Sequence, residues 1–193
     1  MDQRQRGATL VEVIVATAII GILSAMAVAA AESALCRYSL AAATIDMRLG
    51  LFETRMQSMT LDKSVALKFR YEGGAWNVAT YLDGDGDGIR NDDIQRGIDK
   101  LLKEPRRVCE GRAHIGLPPF PVSDPVNGGQ LNDRDAVRFG SSTLCSISPD
   151  GDFSNGSIVL TDGKRVTLLV INGSLRRIST YRFDGARWSV REL

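Results

Sequence analysis

Gly7-Ala8-Thr9-Leu10-Val11-Glu12-Val13-Ile14-Val15-Ala16-Thr17-Ala18-Ile19-Ile20-Gly21-Ile22-Leu23-Ser24-Ala25-Met26-Ala27-Val28-Ala29-Ala30-Ala31 decides how this chain is built. From Ala8 to Ala31 it carries one charge, Glu12. As a helix the stretch is roughly 36 Å long at 1.5 Å per residue, enough to span a bilayer. A carboxylate in hydrocarbon is costly, so Glu12 needs a partner or a job. Its place in the first turns suits the helix dipole. A free α-amino group on a neighbouring copy would suit it better. Arg4 and Arg6 flank the stretch on one side, which keeps that end cytoplasmic and exports the rest.

Two plainer readings compete. A secretory signal also pairs basic residues with an apolar run, and Ala25-Met26-Ala27 offers a small-x-small cleavage site. Against it, the run is too long and holds a Glu. A simple single-pass anchor has no need of Gly-x-Thr-Leu-x-Glu.

With its basic leader, its Gly7 and its Glu five residues later, the segment resembles the N-terminus of type IV prepilins and pseudopilins. The resemblance implies a leader over Met1–Gly7, cleavage between Gly7 and Ala8, N-methylation of Ala8, and an assembly role for Glu12 as the fifth mature residue. Thr9 and Leu10 also match. Ala8 stands where the family usually has Phe or Met.

About 160 residues follow the anchor, enough for one soluble domain with a real core. The chain has 24 basic and 23 acidic residues, a balance that demands no nucleic acid. Cys109 and Cys145 lie in the exported part, where an oxidising compartment favours a disulfide between them; two buried free thiols are the other reading. Cys36 sits just past the membrane. One His and three separated Cys do not suggest zinc. No nucleophile, base and acid group together, so no enzyme is expected.

Beyond the membrane the helix continues. Leu35, Tyr38, Ala42, Ile45, Leu49, Phe52, Met56 and Met59 recur at spacings of three and four, one stripe of an amphipathic helix. Glu32, Arg37, Asp46, Arg48, Glu53 and Arg55 fall mostly off it. The stripe is expected to pack on a sheet of the same chain, with a coiled coil as the alternative. Residues 8–31 are thus read as transmembrane, 32–60 as the amphipathic continuation and 61–193 as a β-rich exported domain.

From Val65 the period becomes two. Val65–Tyr71 and Trp76–Leu82 read as a hairpin turned by Glu72-Gly73-Gly74. Then Asp83-Gly84-Asp85-Gly86-Asp87-Gly88 alternates carboxylates with glycines. Asp83, Asp85 and Asp87, helped by Asp92 and Asp93, are candidate ligands for Ca²⁺, which takes six to eight oxygens. The EF-hand pattern fails at its twelfth position, Ile94, so a solvated acidic turn is the competing account. Residues 96–132 are rich in proline and read as a surface excursion with a short helix near Ile98–Leu102. Six candidate strands follow, over Ala136–Gly140, Leu144–Ser148, Gly156–Thr161, Val166–Asn172, Leu175–Phe183 and Arg187–Arg191, separated by Asp-Gly and Asn-Gly turns. The predicted fold is α+β, a long N-terminal helix on a mainly antiparallel sheet domain.

Ser146-Ile147-Ser148-Pro149-Asp150-Gly151, Asn155–Asp162 and Val166–Ile171 resemble the β domain of GspH/FimT-type pseudopilins. This resemblance implies a minor pseudopilin of a type II secretion system, held in the inner membrane with its C-terminal domain in the periplasm. Its partners would be prepilin peptidase, an inner-membrane assembly platform and other pseudopilins or pilins. The alternative it implies is a FimT/FimU-like minor pilin of a type IV pilus. Some such proteins take up DNA through a basic C-terminal motif, matched in part here by Gly173-Ser174-Leu175-Arg176-Arg177. Arg176 and Arg177 are therefore candidate phosphate contacts.

Overall fold

The computed structural model describes residues 9–109, 111–132 and 135–191. They form two compact units, one ending at Arg37 and the other beginning at Tyr38. Helix α1, Leu10–Leu61, contributes to both. The order after it is β1 (Val65–Glu72), β2 (Ala75–Leu82), α2 (Asn91–Arg96), β3 (Lys100–Arg107), β4 (His114–Ile115), β5 (Val137–Arg138), β6 (Leu144–Ile147), β7 (Gly156–Thr161), β8 (Val166–Asn172), β9 (Arg177–Phe183) and β10 (Trp188–Arg191). The α+β architecture expected from sequence is present, with α1 packed on antiparallel sheets.

One sheet runs β3-β2-β1-β6; the other runs β10-β9-β8-β7-β4, with β5 also on β7. Every pairing is antiparallel. The alternation of side chains along a strand explains the layers. Leu67 and Phe69 of β1 enter the main core, whereas Ala66 packs with Leu144 and Ile89. Ile158, Leu160, Leu169 and Ile171 of β7 and β8 face the main core. Val159, Val166 and Leu168 face the other way, onto Val122 and Leu131. The proline-rich stretch is therefore more than a surface excursion. It covers the second face of the sheet, and that is why Ile158–Leu160 of β7 and Leu168–Ile171 of β8 are continuous apolar runs.

Two expectations need correction. The short helix is Asn91–Arg96, not Ile98–Leu102. Gly97 ends it in the left-handed conformation, at φ 74°, with its N–H toward the carbonyls of Asp93 and Ile94. Strand β3 begins three residues later. It is exposed along its whole length and lies at a sheet edge, where Pro105 costs no ladder bond and no buried face imposes alternation.

The larger correction concerns α1. The buried positions are Leu40, Ala43, Thr44, Met47, Leu51, Thr54 and Ser58. The predicted stripe lies about 170° around the helix from them at 100° per residue. Tyr38, Ile45, Leu49, Phe52, Met56 and Met59 are 47 to 76% exposed. The helix has two stripes, and the sheet takes the one with smaller side chains. Its hydroxyls are satisfied locally, which is what lets them be buried. Thr44 Oγ1 donates to Leu40 O (2.7 Å) and Thr54 Oγ1 to Gly50 O (2.7 Å). Ser58 Oγ reaches Ser148 O at 3.0 Å, tying the helix to the end of β6.

Candidate functional site

The N-terminal segment is held at its start by its own residues. Thr9 precedes the first helical residue, and Glu12 stands three further on. Thr9 N–H donates to Glu12 Oε2 at 2.8 Å, Thr9 Oγ1 lies 3.1 Å from the same oxygen, and Glu12 N–H donates to Thr9 Oγ1 at 3.3 Å. This is a capping box, reciprocal satisfaction of donors that a helix start leaves open. Thr9-x-x-Glu12 spells it in the sequence, where the helix dipole and a neighbouring chain's α-amino group are the expected partners of Glu12 and the cap is not. Both contacts fall on Oε2. A carboxylate accepts at two oxygens, so Oε1 retains acceptor capacity for a second partner.

From Leu10 to Ala31 the apolar segment is exposed. By length and composition α1 can cross a membrane. Gly7 and Ala8, the expected cleavage pair, lie outside the described residues.

Asp83, Asp85 and Asp87 converge, with one oxygen from each inside a 4.8 Å group. The buried Asp83 organises the turn. Its Oδ1 accepts Gly86 N–H (2.7 Å) and its Oδ2 accepts Gly88 N–H (3.0 Å). Buried Asp99 does the same from across the loop, accepting Gly84 N–H (3.3 Å) and Arg90 N–H (3.1 Å). Gly84 has no room for a side chain, since a Cβ there would meet Ile98 O at 2.0 Å. Desolvation holds the Asp87 carboxyl above the ordinary carboxylate range against the pull of Arg90, and Asp85 and Asp93 add to the rise. Asp92 and Asp93 stand in the first turn of α2, outside the group of three. For calcium the fit is partial: three side-chain ligands against six to eight, with both oxygens of one already used by the backbone.

Arg176 and Arg177 sit at the β8–β9 turn. Arg176 has φ 53° and donates from Nε to Asp152 Oδ1. The two arginines also line a pocket of about 190 Å³ with Arg48, Phe52 and Arg55 of α1 and Phe153. Sequence reasoning missed Arg48 and Arg55, because nothing local predicts that this turn meets this helix.

The expected disulfide is corrected. Among the described residues neither Cys109 nor Cys145 is in a disulfide. Cys145 is wholly buried on β6 beside Ser154, and Cys109 lies near Asp46 and Arg106, so the two have different neighbours. Burial pushes Cys145 up to about 12 and Cys109 up to about 11. At pH 8 neither is ionised, and the native Cys145 is expected to resist iodoacetamide. After denaturation without reductant, mass spectrometry should count three added alkyl groups; a bridge between Cys109 and Cys145 would leave one.

Residues 2–28 match the prokaryotic N-terminal methylation motif. The motif and the long apolar helix together fit a single-pass, membrane-anchored pilin-type chain. No curated protein and no solved structure matches the chain.

Proposed function

We infer that the chain is a minor pseudopilin, a subunit that assembles through α1 into an envelope-spanning pseudopilus of a type II secretion system. The observation that carries this reading is the exposed apolar stripe of α1, attached to a prepilin-type N-terminus. Six large apolar side chains on one face of a monomer are an interface in want of a partner. A helix with the same face on every copy supplies one.

The sequence of events is the one the prepilin-type N-terminus implies. Prepilin peptidase removes Met1–Gly7 on the cytoplasmic side and Ala8 becomes the methylated N-terminus. The helix waits in the inner membrane with Glu12 capped by Thr9, and the C-terminal domain stands in the periplasm. An assembly platform then moves the subunit into the fibre. There Glu12 meets the α-amino group of a neighbour. Burying two charges in the fibre core succeeds only when they pair, so the contact checks axial register. A FimT/FimU-like minor pilin of a type IV pilus is the alternative. Asp152, which engages Arg176 and would repel a phosphate beside it, weighs only against DNA binding through Arg176 and Arg177 and not against the pilus.

The deciding measurement is the mass of the N-terminal peptide from membranes with and without prepilin peptidase. A start at Ala8 that depends on the peptidase, with one added methyl, is expected. A start after Ala27 would make the chain an ordinary secreted protein. An intact Met1 in both strains would remove it from the fibre.

A further inference from the structure

A polar cavity of about 700 Å³ lies between Lys68 of β1, Asn91 at the start of α2 and the turn that joins β5 to β6. Its size falls within the range of about 300–1,000 Å³ usual for ligand sites. Leu67 and Phe69 face the main core, so Lys68 between them points to the opposite side of the sheet, into the cavity. The turn wall is fixed. Phe139 and Ser142 exchange backbone hydrogen bonds at 2.9 and 3.0 Å. Thr143 Oγ1 donates to Phe69 O at 2.7 Å, and Ser142 Oγ accepts Leu144 N–H at 3.1 Å. Gly140 and Ser141 form the exposed tip and leave the Ser141 hydroxyl at the rim.

Three charged side chains line the cavity, and they do not cancel. Asp135 and Arg138 answer each other at 3.4 Å, and Asp135 also accepts Asn132 N–H at 2.8 Å. Arg138 has a second carboxylate within electrostatic reach, Asp124. Lys68 has none among the described residues. Its ammonium donates to the side-chain oxygen of Asn91, and its charged neighbour is Arg70. Burial and then the Arg70 charge hold Lys68 below the ordinary lysine range. The bond to Asn91 Oδ1 leaves the amide nitrogen of that residue as a second donor. A partly desolvated ammonium without an acid beside it is costly until an anion arrives.

We propose that this cavity binds a peptide carboxylate of a partner protein, with Lys68 as its counter-ion and Asn91 and Ser141 as further donors. One uncompensated positive charge matches one carboxylate, not the two charges of a phosphate monoester. Ammonium, amide and hydroxyl suit its two oxygens. No aromatic side chain lines the cavity to stack a base, which removes the usual platform for a single-stranded nucleic acid. The volume beyond the carboxylate accommodates the peptide chain that carries it.

The test is fluorescence anisotropy on the detergent-solubilised full chain with three labelled pentapeptides. One has a central Glu and an amidated C-terminus, the second has Gln in its place, and the third is all Ala with a free C-terminus. The Glu peptide is expected to bind at least about tenfold more tightly than the Gln peptide, the scale of a charge-assisted hydrogen bond. Tighter binding of the Ala peptide would support the same site with a chain terminus as the source of the carboxylate. Lys68→Met should erase the dependence on charge, and Lys68→Arg should keep part of it. Ser141→Phe, at an exposed tip that leaves Lys68 in place, should weaken binding by filling the rim, so the proposal stays open to refutation even if Lys68→Met fails to fold. Equal binding of the Glu and Gln peptides with none tighter for the Ala peptide, a charge dependence that survives Lys68→Met, or no binding at millimolar peptide would overturn it. Displacement of the peptide by a lower concentration of inorganic phosphate or of a single-stranded oligonucleotide would give the cavity to phosphate instead. None of these results bears on maturation at Ala8, so the fibre reading stands or falls separately.

Discussion

Glu12→Val yields a chain that is cleaved and held in the membrane but missing from fibres. The signs of its effects oppose each other, and that gives the variant its power. Removing a carboxylate from an apolar segment makes the segment a better anchor, since an intramembrane charge is always a cost. Losing Glu12 also deletes half of the capping box with Thr9, which frays the first turn. Neither change predicts poor membrane retention. In a fibre the same change leaves a neighbour's α-amino group buried without its counter-ion. Recovery in sheared fibres should fall on the order of a hundredfold, the scale of an opposite charge left unpaired. Glu12→Gln separates the two jobs. Glutamine still completes a capping box, so helix content is kept, but it carries no charge and assembly is still lost. Should Glu12→Gln assemble normally, Glu12 would be a helix cap and no more. The measurement is the ratio of fibre-bound to membrane-bound chain by immunoblot, with the processed N-terminus checked by mass.

The sequence made the fold legible wherever one residue type dictates one conformation. Alternation located β1 and β2, Asp-Gly and Asn-Gly turns divided the later strands, and the apolar run gave the anchor. It misled where burial is decided by size and fit. Hydropathy scores Ile45, Leu49 and Phe52 far above Ala43, Thr44 and Ser58, yet the second set lies against the sheet. Thr44 and Ser58 meet their hydrogen bonds on the helix or at Ser148, a fact no periodicity records. β3 went unseen because an edge strand exposed on both faces has no pattern to show. At the candidate site, Gly-x-Thr-Leu-x-Glu was readable because its residues act within six positions of one another. The arginine pocket was not, because Arg55 and Arg176 come from opposite ends of the domain. The disulfide was inferred from compartment, which says nothing about distance.

Leu51→Ala and Leu49→Ala, two identical deletions two residues apart, should behave as different classes of mutation. Leu51 is fully buried in the core between α1 and both sheets. Truncating it leaves a cavity and should cost about 2–5 kcal/mol. For a domain of this size that is a fall of the order of 10 °C in the melting temperature of the detergent-solubilised full chain. Leu49 lies on the outer stripe, half exposed. Its truncation should stay within about 0.5 kcal/mol in the unassembled chain. In the fibre the order reverses in kind. Burying a leucine against a neighbour is worth about 1.5–3 kcal/mol, so Leu49→Ala should lower assembly roughly tenfold or more with no loss of fold. The two readouts, melting in detergent and recovery in fibres, are independent of each other. Equal melting losses at both positions would mean that the outer stripe is covered within the chain. The exposed face would then be no interface, and the case for helix-to-helix assembly would rest on the N-terminal motif alone.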